Sequence, residues 1–408
     1  MTSVAAPDDG LALLTGPDAE DLLAAALATG GDELVSWRVR SVDHRPGRST
    51  TASYAVRLRG PAGECREVLG ASTGLATRPD LPEGVLVLSD GERSVAVWRW
   101  PLDPGLPALP AAVSATAVRA LLADVGVEAP EVSLDVRAYR PRRRAVVEVR
   151  TPDRRLFLKV LRPSGVEATH GRHRLLRGAG VPVPPSLGWT DDGLLVLEGL
   201  PGTSMRARLR SGDGALPDGA ALLDVLERLP PEVCGLPHRR AWADAAGHYA
   251  EVVAGALPEE AARCRDIAAD VTARTAGAPA DQPVHGDFYE TQLLLDGPRV
   301  SGLLDVDTAG PGRRADDLAC LLGHATVLAV LDPPHAAATR AAAAAWLAAF
   351  ERAVDPAELR ARAAGVVLSL ATGPHRVQEP GWPAATRARL DLAEAWLASR
   401  PGSGLPGR

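Results

Sequence analysis

A single lysine, Lys159, stands in the apolar run Leu156-Phe157-Leu158-Lys159-Val160 of a 408-residue chain whose Lys and Arg together number 45. Well downstream come His285-Gly286-Asp287, then Gln292, then Asp305. These are the residue types that phosphoryl transfer uses. A strand lysine holds the α- and β-phosphates of a nucleotide, an aspartate takes a hydroxyl proton, and two oxygen ligands hold Mg2+. Everywhere else the chain uses Arg for positive charge. Arg presents a wide planar fork, whereas Lys is a compact point charge on a thin stem, and a strand position that must reach between phosphates and an acid favours the second.

The elements around these residues can bring them together. Gln292 to Leu295 reads as a strand, Asp296-Gly297-Pro298 as a turn, and Val300 to Leu304 as a second strand. An antiparallel hairpin brings its open ends together. Gln292 opens the first strand and Asp305 closes the second, so their side chains can meet beside the loop carrying Asp287. Two oxygen ligands and a base in one small volume suit Mg2+, which takes few protein oxygens and completes its octahedron with phosphate and water. Leu156 to Val160 reads as a buried strand.

The combination HGDxxxxQ at 285–292, Leu303-Leu304-Asp305 with Asp307, and then Asp317-Leu318-Ala319 resembles the aminoglycoside phosphotransferase family of kinase-like small-molecule kinases. The resemblance covers roughly residues 130–330. It implies ATP-dependent transfer of the γ-phosphoryl group to a hydroxyl of a small-molecule acceptor, with ATP and Mg2+ as cofactors. By resemblance, Asp287 is the catalytic base, Asp305 and Gln292 hold Mg2+, and Lys159 contacts the α- and β-phosphates. Asp317 looks like the acid that steadies the catalytic loop, with His285 as its partner. Glu198 to Leu200 would line the adenine edge through backbone groups. Glu167, the only acid between Lys159 and Asp191, is the candidate partner of Lys159.

The chain departs from the family in two places. Asn is usual where Gln292 stands, although the maltokinase-like group also carries Gln there. No Gly-rich loop joins the strands at 132–139 and 145–150; Arg142 to Arg144 take its place and read as a solvated turn. Asp307 is either a second acid near the metal or a loop and capping residue. Asp316 reads as surface or capping, and His170, His173, His324 and His375 as structural.

Along the chain, strand-like alternation at 37–42, 52–58, 85–88 and 95–100 precedes a Pro/Gly run at 101–107 that reads as a linker. A helix at 114–125, the 132–139 and 145–150 strand pair, a helix at 163–179 and strands near 186–189 and 194–198 follow. Gly199-Leu200-Pro201-Gly202 reads as a hinge. Helix-like apolar spacing then recurs at 219–229, 238–255, 258–276, 315–330, 335–353, 356–371 and 384–399. The expected class is α+β: a protein-kinase-like two-lobed fold with a β-rich N-lobe and a mainly helical C-lobe, preceded by a small β-rich cap domain. The expected boundaries are 1–110 for the cap, 111–200 for the N-lobe, 201–400 for the C-lobe and 401–408 for a flexible tail. Each of the first two units carries a strand, Arg-Pro-x-Arg, strand hairpin, so the cap reads as a degenerate N-lobe copy whose third strand, Cys65 to Gly70, has no lysine.

Composition excludes several classes. At 46% hydrophobic and 24% charged, the chain belongs with ordinary globular proteins. A net charge of −6 argues against a nucleic-acid partner. Cys65, Cys234, Cys264 and Cys320 are scattered without CxxC spacing, which suggests a reduced cytoplasmic setting and no zinc or redox motif. The start, MTSVAAPDDG, lacks signal-peptide character. The longest apolar stretch, Ala341 to Phe350, is too short to span a bilayer, so no membrane partner is expected. Two alternatives stay open beside a small-molecule kinase: a maltokinase-like sugar kinase, and a nucleotide-binding kinase-like protein without transfer. The acceptor and the oligomeric state are not legible.

Overall fold

The computed structural model describes residues 9–75, 81–91, 93–212, 214–237, 239–277 and 279–406. The chain divides into two compact units: one takes residues up to Glu167 with Ser186–Glu198 and Pro374–Pro380, and the other takes Ala168–Pro185, Gly199–Gly373 and Gly381 onward.

The first unit opens with helices α1 (Leu11–Thr15) and α2 (Ala19–Ala28). Five antiparallel strands follow: β1 (Glu33–Arg45), β2 (Ser49–Gly60), β3 (Gly63–Ser72), β4 (Val85–Ser89) and β5 (Ser94–Arg99), in the order β1-β2-β3-β5-β4. Strand side chains alternate between faces, so one set from each strand is free to meet a helix. Here Leu23 and Leu27 of α2 pack with Tyr54, Val56, Leu69 and Val97. The Tyr54 hydroxyl donates to the Leu14 carbonyl at 2.8 Å, which satisfies the polar tip of a buried aromatic ring. Gly70 is required opposite Trp98: a Cβ there would come within 2.2 Å of the indole.

Helices α3 (Leu109–Ala112) and α4 (Ala115–Asp124) lead to a second sheet. Its strands are β6 (Ser133–Arg140), β7 (Arg144–Arg150) and β8 (Arg155–Val160); after helix α5 (Pro163–Gly178) come β9 (Ser186–Trp189) and β10 (Leu194–Glu198). Ser114 caps α4 by accepting from the Ala117 N–H at 3.4 Å. Along β8 the alternation separates two environments. Leu156, Leu158 and Val160 join Val118 and Leu122 of α4 in one core. Phe157 lies on the opposite face with Val166 of α5, Leu195 and Leu197, and the period of two puts Lys159 on that face as well.

The second sheet runs β6-β7-β8-β10-β9, the same arrangement as the first. The registers also correspond. Turn-closing pairs are Arg45 with Ser49 and Arg140 with Arg144, and two residues further along Thr51 pairs with Ser72 and Val146 with Lys159. Ser72 therefore holds in the first sheet the position that Lys159 holds in the second.

The Arg142–Arg144 turn is not the solvated segment expected from sequence. The Arg142 N–H donates to Asp103 Oδ2 at 2.8 Å, and its Nη1 donates to Ser72 Oγ at 2.7 Å and Thr51 Oγ1 at 3.3 Å. Arg143 grips Asp43 with Nε and Nη2 at 2.6 and 3.1 Å. Burial and the nearby Arg162 and Arg45 depress the Arg142 pKa to about 10. Asp103, in the Pro/Gly run read as a linker, is buried and also accepts from the Tyr139 hydroxyl at 2.7 Å. With the Gly105 N–H donating to Oδ1 at 2.7 Å, the Asp103 carboxylate satisfies three donors and turns a stretch of Pro and Gly into a packed corner.

In the second unit β11 (Thr203–Ser204) enters α6 (Met205–Ser211), a short helix the sequence reading missed. Helices α7 (Gly219–Glu227), α8 (Ala246–Ala256) and α9 (Ala261–Thr275) follow, then β12 (Gln282–Val284), β13 (Leu293–Asp296), β14 (Arg299–Leu303) and β15 (Gly310–Gly312). Helices α10 (Arg314–Leu331), α11 (Ala336–Phe350), α12 (Pro356–Ala371), α13 (Gly373–Arg376) and α14 (Trp382–Ala398) complete the chain, α13 falling with the first unit from Pro374 on. The strands form two small antiparallel sheets, β11-β13-β14 and β12-β15.

The helix expected at 238–255 is shorter than its apolar spacing suggested. His238 lies outside the described residues, 239–242 are not helical, and a 3-10 turn at Ala243–Ala245 precedes α8. Tertiary ties explain the difference: Asp244 in that turn accepts from Arg313 Nη1 at 3.1 Å and Arg362 Nη1 at 3.3 Å. None of the described helices is long and apolar enough to cross a membrane.

Candidate active site

The second unit builds a rigid turn around Asp287. The His285 and Gly286 N–H groups donate to the two oxygens of Asp317 at 2.7 and 2.8 Å. Asp317 is fully buried near the start of α10; burial pushes its pKa up to about 7, and the two N–H donors pull the other way. His285 meets Asp317 through its backbone N–H and not through its ring. The ring spans the loop instead. Its Nδ1 accepts from the Asp287 N–H at 3.2 Å, which leaves Nε2 to donate to the Leu304 carbonyl at 2.8 Å. Those partners assign the neutral tautomer, and burial holds the His285 pKa below its ordinary value. Thr308 Oγ1 donates to the His285 carbonyl at 2.8 Å. Gly286 has φ +81°, and a Cβ there would lie 2.7 Å from the Thr308 carbonyl, so the turn requires glycine.

The hairpin forms, with its strands at Leu293–Asp296 and Arg299–Leu303. Leu293 pairs with Leu303, and the Leu304 N–H donates to the Gln292 carbonyl at 2.8 Å. That bond fixes Gln292 and Asp305 at the open end of one hairpin. Asp305 adopts the left-handed conformation, φ 55° and ψ 49°, which Asp tolerates better than bulkier residues do. An outlier of this kind is a common mark of a site whose geometry is imposed by its surroundings. A carboxylate and an amide oxygen at one hairpin end fit the hard-oxygen preference of Mg2+. Asp307 lies in the 3-10 turn Val306–Thr308 and faces the charge of Arg172, whose Nε donates to the Ala309 carbonyl at 3.2 Å. Asp316 caps α10 by accepting from the Arg313 N–H at 3.1 Å and pairs with Arg362 Nη1 at 2.6 Å.

In the first unit Lys159 is buried on β8, flanked by Val146 and Leu195. Glu167 is exposed on α5 and, among the described residues, makes no hydrogen bond or ion pair, so it is not the ion-pair partner that elimination suggested. The two residues leave α5 and β8 on different terms: Val166 is the α5 side chain buried on this face, and its neighbour Glu167 turns to solvent. Glu198 closes β10, and its carboxylate lies 3.7 Å from Arg154. Leu200, in the second unit, rests beside Gly302 of β14, where a Cβ would meet its Cδ1 at 3.0 Å.

Sequence reasoning set aside Cys320 as a scattered cysteine and His324 as a structural histidine. They lie one turn apart on α10, with Cys320 Sγ 4.0 Å from Asp287 Oδ1 and the His324 ring stacked on Tyr289 at 3.9 Å between centroids. Their i, i+4 spacing on a helix was the available signal. Glu290 was also missed: it is fully buried, with Oε1 accepting from Arg206 Nε and Nη2 at 2.9 and 2.6 Å.

The α+β fold, the strand lysine and the HGD turn define a kinase-like phosphotransferase. The profile of the phosphotransferase enzyme family (APH) matches residues 135–366, more than half of the chain, and the chain belongs to that family. As a member of it, the chain is a phosphotransferase. Among solved structures it is similar to macrolide 2′-phosphotransferase MphH from Brachybacterium faecium, at 18% identity over 67% of this chain and 98% of that one, with TM-score 0.39. It is similar to aminoglycoside phosphotransferase APH(3″)-Id from Streptomyces rimosus at 19% identity over 62% and 97%, TM-score 0.41. A third is a thermostable APH(4)-Ia variant in complex with AMP-PNP and hygromycin B, at 15% identity over 70% and 100%, TM-score 0.49. Comparison with curated proteins finds no match.

Proposed function

We propose that Asp287 is the base of this kinase, that Asp305 and Gln292 hold Mg2+, and that Lys159 contacts the α- and β-phosphates of ATP. The acceptor hydroxyl gives its proton to Asp287 as its oxygen bonds the γ-phosphorus; the bond from phosphorus to the β,γ-bridging oxygen breaks and ADP leaves. His285 and Asp317 position Asp287 through the turn they hold. Glu198 and Leu200 flank the adenine edge through their backbones. Mg2+ would neutralise phosphate charge at the hairpin end. The observation that carries this reading is the Asp317 carboxylate gripping two successive N–H groups of the turn that presents Asp287. Preorganised polar groups of this kind supply much of a kinase's rate because they need no rearrangement during the reaction.

Residues 111–200 serve as the N-lobe, 201–400 as the C-lobe, 401–408 as a tail, and 1–110 as a cap descended from an N-lobe-like sheet. The matching strand orders and the register of Ser72 with Lys159 support the last of these. The cysteines Cys65, Cys234, Cys264 and Cys320 are free thiols, which suits a cytoplasmic protein with a small-molecule partner and neither nucleic acid nor membrane. Gln292 and the additional sheet favour, as a second reading for the acceptor, a sugar of the maltokinase type; phosphorylation of maltose decides it.

Thermal unfolding with ATP, with and without Mg2+, tests the site. A ligand at about a hundred times its Kd adds roughly 2.7 kcal/mol of stability. A Mg2+-dependent rise in Tm that vanishes in Asp305→Ala supports the assignment, and an equal rise in both proteins refutes Asp305 as the metal ligand.

A further inference from the structure

We propose that Asp287, Cys320 and His324 form a binding site for a thiophilic divalent cation, Zn2+ in its chemical preferences, on the turn that carries the catalytic aspartate.

The three donors come from two rigid elements. Helix α10 puts Cys320 and His324 on one face, one turn apart, and the His285-Gly286-Asp287 turn lays its carboxylate over that face. One ligand atom from each residue lies within 4.8 Å of the others. In a tetrahedral site with Zn–S near 2.3 Å and Zn–N and Zn–O near 2.0 Å, ligand atoms sit about 3.3–3.5 Å apart. Closing that difference needs a shift of about an ångström, within the rotamer freedom of a half-buried aspartate.

The donor set selects the metal. Sulfur, nitrogen and one carboxylate oxygen suit Zn2+ or Co2+, whereas Mg2+ and Ca2+ take oxygen. Three protein ligands leave a fourth position for water or an oxygen of a bound molecule.

A second observation points to a cation. Glu290 Oε2 is buried and has no hydrogen-bond partner among the described residues, its other oxygen being held by Arg206. This carboxylate acts electrostatically on both Cys320 and His324. A cation between those ligands would be a second positive partner, beside Arg206, for a carboxylate with one oxygen left unbonded in the core. The stack of His324 on Tyr289 fixes the imidazole plane, and Asp287 and His324, both partly exposed, leave a path from solvent. Binding replaces the Cys320 S–H bond with a metal–thiolate bond and releases one proton to solvent. If Asp287 is the base, as proposed above, an ion held here takes the carboxylate away from the acceptor hydroxyl and stops transfer; this consequence rests on that reading, and the binding site does not.

Co2+ titration of the full chain tests the site by its spectrum. The expected result is one equivalent bound, with a near-ultraviolet thiolate-to-cobalt charge-transfer band that Zn2+ abolishes and excess Mg2+ leaves in place. Cys320→Ser should remove the band, and His324→Ala should weaken Co2+ binding at least tenfold. No band in the wild type, or a band that survives Cys320→Ser, overturns the proposal, the second by assigning the thiolate to Cys65, Cys234 or Cys264. Should Cys320→Ser not fold, His324→Ala decides alone: unchanged affinity rejects the site. Zn2+ inhibition of phosphoryl transfer is measured separately, so an inactive protein with an intact cobalt spectrum refutes the catalytic reading and leaves the metal site standing.

Discussion

Arg142 places its guanidinium 2.7 Å from Ser72 Oγ, and Ser72 stands in the first sheet where Lys159 stands in the second. The turn between β6 and β7 is thereby anchored to the position that, in the second sheet, carries the chain's only lysine. Arg142→Ala takes the guanidinium donor away from the buried Ser72 and Thr51 hydroxyls, while the backbone N–H to Asp103 stays. Loss of hydrogen bonds to a charged group costs about 1.5–3 kcal/mol. Thermal unfolding should show that loss, with Ser72→Ala costing clearly less. Equal stability of Arg142→Ala and wild type would mean the contact is incidental.

Asp317→Ala should lower kcat far more than it changes KM for ATP, because the turn presenting Asp287 loses both of its anchors while the nucleotide contacts stay. Asp287→Asn and Asp305→Ala should each reduce turnover by several orders of magnitude, as expected where positioning and charge neutralisation supply the rate. Steady-state kinetics check all three. Near-normal turnover in Asp287→Asn removes the base assignment.

Gly286→Ala combines a positive φ with a Cβ placed 2.7 Å from the Thr308 carbonyl. The turn has to move to accept it, and displacements of about 1 Å at a catalytic group can cost a hundredfold in rate. A folded variant with wild-type kcat would show that the turn's conformation is not what positions Asp287.

Arg362 is fully buried and holds Asp316, Asp244 and Glu358 at 2.6, 3.3 and 2.8 Å. Arg362→Met should destabilise by about 3–5 kcal/mol, since it removes a buried charge that three partly buried acids share. Denaturant unfolding measures it, and a loss under about 1 kcal/mol would show that these acids find other partners.

Burial, together with neighbouring His44, holds the His375 pKa down at about 4, against 6.5 for ordinary histidine. The unfolded chain therefore takes up the proton first as pH falls. Stability from this residue is complete above about pH 6.5 and is lost between 6.5 and 4. His44 itself bonds Thr50 at 3.1 Å and lies 3.6 Å from Asp9. The Tm of wild type should fall more steeply than that of His375→Gln across this window. Parallel Tm curves would show that His375 is not held neutral.

Much of the candidate site was legible because its signals are local. Lys159 shows by uniqueness and by its place in an apolar strand, and Gln292 and Asp305 by flanking two strand-like runs joined by Asp-Gly-Pro. The helix at 356–371 was read to the residue because an Asp-Pro start and a long apolar spacing coincide. Partner assignments failed where they depended on contacts across the fold. Glu167 was chosen by elimination along the chain, yet ion pairing depends on which side of α5 is buried. Arg142 read as solvated and is half-buried against Ser72 and Thr51, and Arg362 lies fully buried beside Asp316 and Asp244, because burial of a guanidinium is decided by the groups that fold onto it from elsewhere. Cys320 and His324 carried a helical spacing, but only the turn that brings Asp287 over α10 turns that spacing into a possible coordination set.

The sequence by itself determined the element types and the order of the chemical groups, since strand and helix periodicity, the turn residues and the HGD turn with its glycine are properties of short segments. Tertiary structure decided which groups meet: that Asp317 grips the His285-Gly286 backbone, that the His285 ring reaches Leu304, and that Arg142 reaches Ser72, which stands in the first sheet where Lys159 stands in the second. Those pairings join residues 19 to 70 positions apart. They form because a buried polar group is costly until it finds a partner, and the partner available is set by how the elements pack.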